Sequence, residues 1–401
     1  NNVWVNSEDL NKNGRLDAGE DQNRNGRLDC LEDANCNGRP ELTSIGQGGD
    51  LDGIDADGNG LMDDVSGYDF ATCDQYVEDT EGPCVAGKAK APDRDPKDEN
   101  GHGTHVAGTI AALRNNNQGI SGVAPGAKIM PVRIINAGGQ GSSADAAAGL
   151  RYAVDQGADV LNNSWGDPAD TLDLPVLQDA VNYAQALGAV SVFAAGNSSM
   201  DIQQSDGSPQ FCPACFDNVI AVGASTEAER KADFSNFGKR IDLVAPGGSE
   251  PLTSGLGIDN VNSILSLRAA GTALGSLVGT PGAEQYVRTS GTSMAAPHAS
   301  GVAALVIASH PGEPFTDTNG NGVWNTGEPY SDVGVDGKSA TVDYGQGNGR
   351  YDAFTHEDVR AALRISAIDL EKPGRDVFGG FGRLDALGAV QAQPRQHVSV
   401  V

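Results

Sequence analysis

The chain has 401 residues, of which 54 are glycine and only 5% are aromatic, a composition that favours an α/β protein with many tight turns. Its formal net charge of −27 argues against nucleic acid as a partner, because binding to phosphates requires positive charge. No segment reaches the roughly 18–20 consecutive apolar residues of a membrane span, so we expect no membrane-spanning helix.

Acidic residues concentrate in the first quarter of the chain, where residues 1–100 hold 24 acids and 9 bases. The segment Asp9–Glu20 has oxygen-bearing side chains at loop positions 1, 3, 5, 9 and 12 and glycine at position 6, which is the pattern of an EF-hand calcium loop. The segment Asp21–Glu32 repeats this pattern directly, and a weaker copy begins at Asp33. The period of 12 residues leaves no room for flanking helices. The array therefore resembles the stacked calcium loops of thrombospondin type 3 or dockerin-like repeats.

Two further copies of the calcium-loop pattern occur later in the chain. The segment Asp55–Asp63 is partial, since Ser66 stands at position 12, whereas Asp317–Glu328 is complete. A single string of Asn, Asp and Gly is often only a turn, but the repetition favours bound calcium. The predicted calcium ligands are Asp9, Asn11, Asn13, Asp17, Glu20, Asp21, Asn23, Asn25, Asp29, Glu32, Asp55, Asp57, Asn59, Asp63, Asp317, Asn319, Asn321 and Glu328.

Six cysteines fall into three close pairs, which are Cys30/Cys36, Cys73/Cys84 and Cys212/Cys215. Six cysteines allow 15 pairings, and pairing within each close pair is the simplest expectation. Such pairing predicts an oxidising, extracellular setting and hence a secreted protein. A zinc site at Cys212 and Cys215 is the weaker interpretation, because no second pair of Cys or His lies nearby in the sequence.

From residue 103 onward, predicted helices alternate with short buried strands. The predicted helices lie at 103–114, from Ser142 or Ser143 to Gly157, and at 174–187, 295–307 and 356–363. The predicted strands lie at 158–163, 189–194, 219–222 and 241–244. This alternation predicts an α/β fold with a parallel sheet and helices on both faces.

Three glycine-rich segments each place a polar side chain at the end of a predicted element. His102 precedes the first helix, Asn197 follows a β-rich run, and Ser293 opens an apolar helix. A serine at a helix N-terminus lies where backbone N–H groups can stabilise an oxyanion, as acyl transfer by a serine nucleophile requires. The alternative is structural: Ser293 as a helix cap, His102 as a packed core residue and Asn197 as a turn residue.

The motifs Asn100–Thr109, Phe193–Asn197 and Gly291–Gly301 resemble those of the subtilisin-like serine proteases, which carry them in the same order. The likeness extends over nearly the whole chain, from about Trp4 to Ala392. It implies a subtilisin-like parallel sheet, with the calcium loops as insertions. An α/β-hydrolase esterase is excluded, because its elbow needs glycine where this chain has Ala295 and its histidine comes after the serine.

The resemblance also implies a role for each site residue. His102 corresponds to the general base, Ser293 to the nucleophile and Asn197 to the amide of the oxyanion hole. The segment Ser164-Trp165-Gly166 corresponds to the edge of the substrate cleft that pairs with the backbone of the bound peptide. His105 and His298 also fall inside the motifs and are interpreted as structural.

One member of the family's triad has no counterpart in this sequence. The tripeptides Asp-Thr-Gly and Asp-Ser-Gly, which carry the family's aspartate, do not occur before His102. Asp69, Asp74 and Asp98 stand in segments that resemble other family positions. The opening segment Val3–Asn6 resembles the residues just after that aspartate in relatives, so we expect the aspartate on a segment upstream of Asn1, either cleaved or omitted.

These observations predict a secreted, calcium-stabilised serine endopeptidase that acts on proteins or peptides. The alternative is a catalytically incomplete extracellular scaffold that keeps the fold and makes calcium-dependent contacts. The expected organisation is a calcium-loop array at 1–66, a catalytic core at 67–312, a calcium-loop insertion at 313–352 and the remainder of the core at 353–394.

Overall fold

A parallel sheet of four strands, in the order β3-β5-β7-β8, forms the centre of the protein in this computed structural model. The strands are β3 (Val160–Asn163), β5 (Val190–Ala194), β7 (Ile220–Ser225) and β8 (Leu243–Pro246). The structure describes residues 66–73, 89–204, 206–249, 262–272, 285–311, 354–370 and 374–392, together with positions 59, 61, 64, 274, 316 and 329–331.

Helices cover both faces of this sheet, as the sequence predicts. Neighbouring strand residues point to opposite faces, so Val192 and Phe193 belong to two different hydrophobic clusters. On the Phe193 side lie α2 (Ser143–Asp155) and α3 (Leu174–Ala186). On the Val192 side lie α4 (Thr292–Ser309), α5 (His356–Ser366) and α6 (Ala386–Gln391). The helix α1 (His102–Ala111) packs against α4.

Among the described residues, three short strand pairs lie outside the central sheet. The pair β1 (Tyr68–Asp69) and β2 (Val132–Arg133) is parallel. The pair β4 (Asp167–Pro168) and β6 (Phe211–Cys212) is antiparallel, with Pro168 opposite Phe211. The pair β9 (Ile264–Leu267) and β10 (Tyr286–Thr289) is also antiparallel. A 3-10 turn, Ala169–Thr171, comes directly after β4.

The helix boundaries reflect local capping chemistry. The Ser142 hydroxyl accepts a hydrogen bond from the Asp145 backbone N–H at 3.0 Å, which confirms the predicted N-cap of α2. The helix α1 ends at Ala111, three residues earlier than predicted, because Ala112 adopts an extended conformation. The helix α4 begins at Thr292, earlier than predicted, so Ser293 lies inside its first turn.

A buried carboxylate joins α5 to the start of β8. Asp242 is fully buried and forms ion pairs with Arg240, Arg360 and Arg364. Burial alone raises the pKa of Asp242, but the three guanidinium groups and the Ala221 N–H outweigh it and lower the pKa below its usual range. Asp242 therefore stays ionised and holds α5 against the sheet.

Cys212 and Cys215 form a disulfide, as predicted, so this pair is not a zinc site. Cys73 is also disulfide-bonded, while Cys30, Cys36 and Cys84 lie outside the described residues. In the part of the chain that the structure describes, no helix is long and apolar enough to cross a membrane. The proposed regions 1–66 and 313–352 lie almost entirely outside the described residues, so these domain boundaries stay predictions.

Candidate active site

Two of the predicted site segments lie at the carboxyl ends of neighbouring parallel strands. Ser164–Gly166 comes after β3 and Asn197 comes after β5, and these strands pair in parallel from Val160 opposite Val190 onward. Ligands of open α/β sheets bind in the crevice outside the carboxyl ends of the strands. The third segment, the start of α4, reaches the same edge, where Ser293 forms hydrogen bonds with Ser164.

Pro297 explains how the Ser293 backbone is tied to β3. Proline has no backbone N–H, so Pro297 leaves the carbonyl four residues earlier in α4 without its helical donor. That carbonyl belongs to Ser293, and the Ser164 hydroxyl donates to it at 2.9 Å. A carbonyl that would otherwise lack a partner therefore becomes an anchor between α4 and the end of β3.

The anchor continues as a chain of hydrogen bonds into the core. The Ser164 hydroxyl accepts from Asn162 Nδ2 at 3.1 Å, and Asn162 Oδ1 accepts from the Ser300 hydroxyl at 2.8 Å. Ser300 lies on α4 and is only 2% exposed. The chain thus starts and ends on α4 and passes through β3, which holds Ser293 in a fixed register against the sheet.

Asn197 is exposed and oriented by α4. Its Oδ1 accepts hydrogen bonds from the Thr292 backbone N–H at 2.8 Å and from the Thr292 hydroxyl at 3.0 Å. A Cβ atom placed on Gly291 would lie 3.5 Å from Asn197 Nδ2 and 3.7 Å from the Ser293 backbone nitrogen. These two nitrogens therefore border one small space beside Ser293, as the donors of an oxyanion hole must.

His102 is the first residue of α1, and Asp98 fixes the backbone around it. The Asp98 carboxylate accepts from the N–H groups of Gly101 at 2.6 Å and Thr104 at 2.8 Å, and from the Thr104 hydroxyl at 2.7 Å. Burial lowers the pKa of His102, and the nearby Asp98 charge opposes this shift. A neutral imidazole at neutral pH is the form that a general base requires.

Ser293 and His102 are not joined by a hydrogen bond among the described residues. The Ser293 hydroxyl donates instead to the Ser164 carbonyl at 3.1 Å, while the described hydrogen bond of His102 runs from its backbone N–H to Asn100 Oδ1. Proton transfer between them requires Ser293 Oγ and the His102 ring to come within hydrogen-bond distance. In many active sites the catalytic hydrogen bonds are long or absent without substrate and form only when the substrate is bound.

The described acids near the site have other partners. Asp98 is engaged by the backbone at the start of α1. Asp69 is fully buried and forms ion pairs with Lys90 and Arg133, although burial keeps its pKa raised. Asp74 lies outside the described residues. No described carboxylate makes a hydrogen bond to the His102 ring.

His105 and His298 bond to backbone carbonyls inside the protein. The Nε2 atom of His105 lies 3.1 Å from the Ile264 carbonyl oxygen, and burial lowers the pKa of His105 to about 4. The Nδ1 atom of His298 lies 2.8 Å from the Met294 carbonyl oxygen, and burial lowers its pKa as well. Both environments fit the structural interpretation.

Of the predicted calcium ligands, only Asn59 lies within the described residues. Its Oδ1 accepts from the Leu61 N–H at 2.7 Å, and its Nδ2 donates to Asp64 at 2.9 Å. An Asn side chain that bonds to the backbone two residues on is typical of a turn. Within the described residues, no group of three His, Cys, Asp or Glu side chains could hold a metal ion.

Sequence reasoning missed several supporting residues. Thr292, Asn162 and Ser300 orient the predicted site residues through their hydrogen bonds. One signal was available in the sequence: Pro297 lies four residues after Ser293 and has no N–H, so the Ser293 carbonyl needs a donor from outside the helix. The partner of that acceptor comes from the end of β3, more than a hundred residues away, and no local pattern reveals it.

Comparison with known proteins decides the family. The family model described as the subtilase family matches residues 52–382, most of the chain. The chain belongs to the subtilase family.

Individual relatives agree with this membership. The chain is 40% identical over 248 residues to the thermophilic serine proteinase of Bacillus sp. (strain AK1), a match that covers 61% of this chain and 53% of that relative. It is 36% identical over 249 residues to thermitase of Thermoactinomyces vulgaris, covering 61% of this chain and 76% of thermitase. The chain thus spans only about half the length of the first relative.

A solved structure supports the subtilase fold. A protease from Pseudoalteromonas arctica PAMC 21717 superposes with a TM-score of 0.58 at 27% sequence identity. The match covers 82% of this chain and 83% of that structure. The parallel sheet with helices on both faces is therefore the fold that the family model and the solved structure have in common.

Proposed function

We propose that the protein is a serine endopeptidase that hydrolyses peptide bonds in proteins or peptides. The observation that carries this proposal is the grouping of the Ser293 side chain, the Ser293 N–H and the Asn197 amide at one edge of the sheet. A hydroxyl next to two N–H donors suits the attack on a carbonyl and the stabilisation of the oxyanion that forms. Membership of the subtilase family supports the same activity.

The proposed reaction has two halves. Ser293 Oγ attacks the carbonyl carbon of the scissile bond while His102 takes its proton, and the oxyanion is bound by Asn197 Nδ2 and the Ser293 N–H. His102 then protonates the leaving amine as the C–N bond breaks. Water, deprotonated by His102, attacks the acyl-enzyme, and the proton returns to Ser293 Oγ as the second product leaves.

The orienting aspartate of the triad is proposed to come from a segment upstream of Asn1. Two observations support this. The sequence before His102 lacks the family's aspartate tripeptide, and no described carboxylate makes a hydrogen bond to the His102 ring. A buried aspartate holds the histidine in the correct tautomer, and its loss typically costs about 10⁴ in rate.

A fluorophosphonate serine-hydrolase probe followed by intact mass spectrometry tests the activity and the aspartate together. We expect one adduct on the folded protein, mapping to Ser293, and its absence from the Ser293→Ala variant. Any upstream peptide that co-purifies appears in the same spectrum. No adduct on folded, calcium-loaded protein would overturn the proposal and favour the non-catalytic scaffold.

We further propose that calcium stabilises the fold through the loops at 9–32, 55–63 and 317–328. The predicted ligands of these loops are all carboxylate or amide oxygens, which is what Ca²⁺ prefers. An ion that binds only the folded state stabilises it by mass action. EDTA should therefore lower the melting temperature and accelerate autolysis, and readdition of Ca²⁺ should reverse both. An unchanged melting temperature in EDTA would contradict a structural role for calcium.

The protein is proposed to be secreted. The Cys212–Cys215 disulfide supports an oxidising compartment, since cytosolic thiols are kept reduced. Non-reducing peptide mapping of the native protein should recover this pair, together with a bond at Cys73.

A further inference from the structure

A crevice lies between the two strand ends that carry the proposed site. One wall is the backbone of Ser164–Gly166 after β3, and the other is the backbone of Gly196 and Asn197 after β5. The Ser293 hydroxyl donates to the Ser164 carbonyl of the first wall, and the proposed donor Asn197 belongs to the second. Both walls have glycine at the critical place, so backbone rather than side chain lines the crevice there.

The ring of Phe211 fills the space between these glycines. A Cβ atom placed on Gly166 would lie 2.7 Å from Phe211 Cε1, and one placed on Gly196 would lie 2.6 Å from Phe211 Cζ. Real Cβ atoms do not approach other atoms so closely. The same ring edge therefore touches both walls, and glycine is required on each wall to admit it.

Phe211 is held firmly in this position. It lies on β6, opposite Pro168 of β4, and the next residue, Cys212, is tied to Cys215 by the disulfide. The Phe211 side chain is 8% exposed and belongs to the same hydrophobic cluster as Phe193. Movement of the ring out of the crevice would have to break this packing, so the ring is a fixed floor rather than a movable gate.

The location of Phe211 limits the room for one side chain of a bound peptide substrate. A peptide whose scissile carbonyl oxygen lies between Asn197 Nδ2 and the Ser293 N–H has its acyl residue between the two crevice walls. If its backbone extends along Ser164–Gly166, its side chains alternate in direction and every second one faces the crevice. We take the acyl residue as one that faces the crevice. The free depth below that side chain is limited by the Phe211 ring edge.

We infer that Phe211 restricts the residue on the acyl side of the cleaved bond to a small side chain, namely glycine, alanine or serine. This inference rests on the proposed endopeptidase activity and adds the class of substrate to it. A large aromatic or branched side chain would need the volume that the Phe211 ring occupies. A closely packed site rejects each excess methylene by a factor of about 10 or more.

The test uses peptide p-nitroanilides Ala-Ala-Pro-X, with X as Ala, Val, Leu or Phe. For the native protein we expect kcat/KM to be at least about tenfold higher for Ala than for Phe. Phe211→Ala should raise the Phe-to-Ala ratio of kcat/KM by about 10²-fold. Phe211→Val, which places a β-branched residue on β6, should give a smaller shift in the same direction.

The matched control is Phe216→Leu. Phe216 is a buried member of the same cluster, but it is not among the closest neighbours of Gly166 or Gly196. This variant should lower the melting temperature and leave the ratio unchanged. Because the ratio compares two substrates on one protein sample, partial unfolding of a variant does not alter it.

Each outcome has one meaning. A native protein that cleaves the Phe or Leu peptide best would overturn the inference and leave the endopeptidase proposal intact. The inference is likewise overturned if both Phe211 variants keep the native ratio. No cleavage of any peptide, with no fluorophosphonate adduct at Ser293, would instead overturn the endopeptidase proposal itself.

Discussion

The two halves of the proposed active site are built in different ways. The half that carries Ser293 is tied together across three elements, since Ser293 of α4 bonds to Ser164 after β3 and Thr292 of α4 bonds to Asn197 after β5. The base's half is local. The His102 backbone N–H donates to Asn100, Asp98 fixes the backbone on either side of it, and no described hydrogen bond holds the His102 ring.

This difference separates two kinds of preorganisation. The donors of the proposed oxyanion hole are positioned by the core, and they remain in place as long as the sheet and α4 remain packed. The backbone position of His102 is defined, but the rotation of its imidazole ring needs a further hydrogen-bond partner. Supplying that partner is the role of a catalytic aspartate. Single substitutions can weaken either half without touching the other.

The largest effect is expected from the oxyanion donor. Asn197→Leu removes the Nδ2 donor and should lower kcat by about 10²–10³-fold, the range known from loss of the corresponding donor in subtilisin. The KM should change little, since this interaction strengthens only as the oxyanion forms. Steady-state kinetics on the Ala-Ala-Pro-Ala p-nitroanilide measures both constants.

Thr292→Val is the control for this change. It removes the hydroxyl that donates to Asn197 Oδ1 and accepts from the Gly196 N–H, but it leaves the Nδ2 donor in place. A small loss of kcat is expected. If Thr292→Val lost as much as Asn197→Leu, the role of Asn197 would be structural support of α4 rather than oxyanion binding.

A smaller effect is expected on the side of the base. Asp98→Asn keeps the shape of the side chain but removes its charge and one of the two oxygens that accept from Gly101 and Thr104, which should cost about 1 kcal/mol of stability. Loss of the negative charge lowers the pKa of His102 further, because Asp98 favours the protonated imidazole. The neutral base then persists to lower pH, so the acid limb of kcat/KM should shift to lower pH.

Asp95→Asn is the charge-matched control for Asp98→Asn. Asp95 lies three residues away, and its carboxylate accepts from the Lys97 backbone N–H. A pH profile from each variant and from the native protein makes the comparison. An acid limb that is unmoved in Asp98→Asn, or moved equally in both variants, would contradict a direct influence of Asp98 on His102.

The smallest effect is expected far from the site. Ser300→Ala removes the donor to Asn162 Oδ1 and so loosens the chain that ends at the Ser293 carbonyl. We expect kcat to fall a few-fold with KM unchanged, since a single hydrogen bond contributes about 1 kcal/mol. Ser300→Thr keeps the hydroxyl and should recover the loss. An equal loss in both variants would point to packing of α4 instead.

The sheet can be predicted from sequence because its signals are local, whereas the role of Ser293 as nucleophile stays a prediction. The alternation of helices and strands predicts the α/β class, and the glycine-rich motifs mark the ends of elements. Boundaries are harder to predict. Periodicity extends α1 to residue 114, but the chain leaves the helix at Ala112 and enters a turn in which Asn115 and Asn117 have positive φ values of 59° and 57°. Asparagine tolerates this conformation, and helical periodicity does not report it.

The partners of the site cannot be predicted in the same way because they are distant in sequence. Phe211 reaches Gly166 across 45 residues, and Ser300 reaches Asn162 across 138. No periodic pattern couples such positions, since each contact depends on how the strands are ordered in the sheet. The conformation of Asn197 has the same origin, because Thr292 of α4 holds its Oδ1.

The packing of α4 affects what the protein can do before it is fully folded. Most of its 18 residues are buried, and it contacts the central strands as well as α1, α5 and α6. A folding intermediate in which α4 has not yet docked lacks the Ser164 anchor and the Thr292 contact that orients Asn197. Such a molecule has Ser293 but lacks the neighbouring donors of the proposed oxyanion hole. The proposed peptidase activity therefore depends on completion of the core around α4.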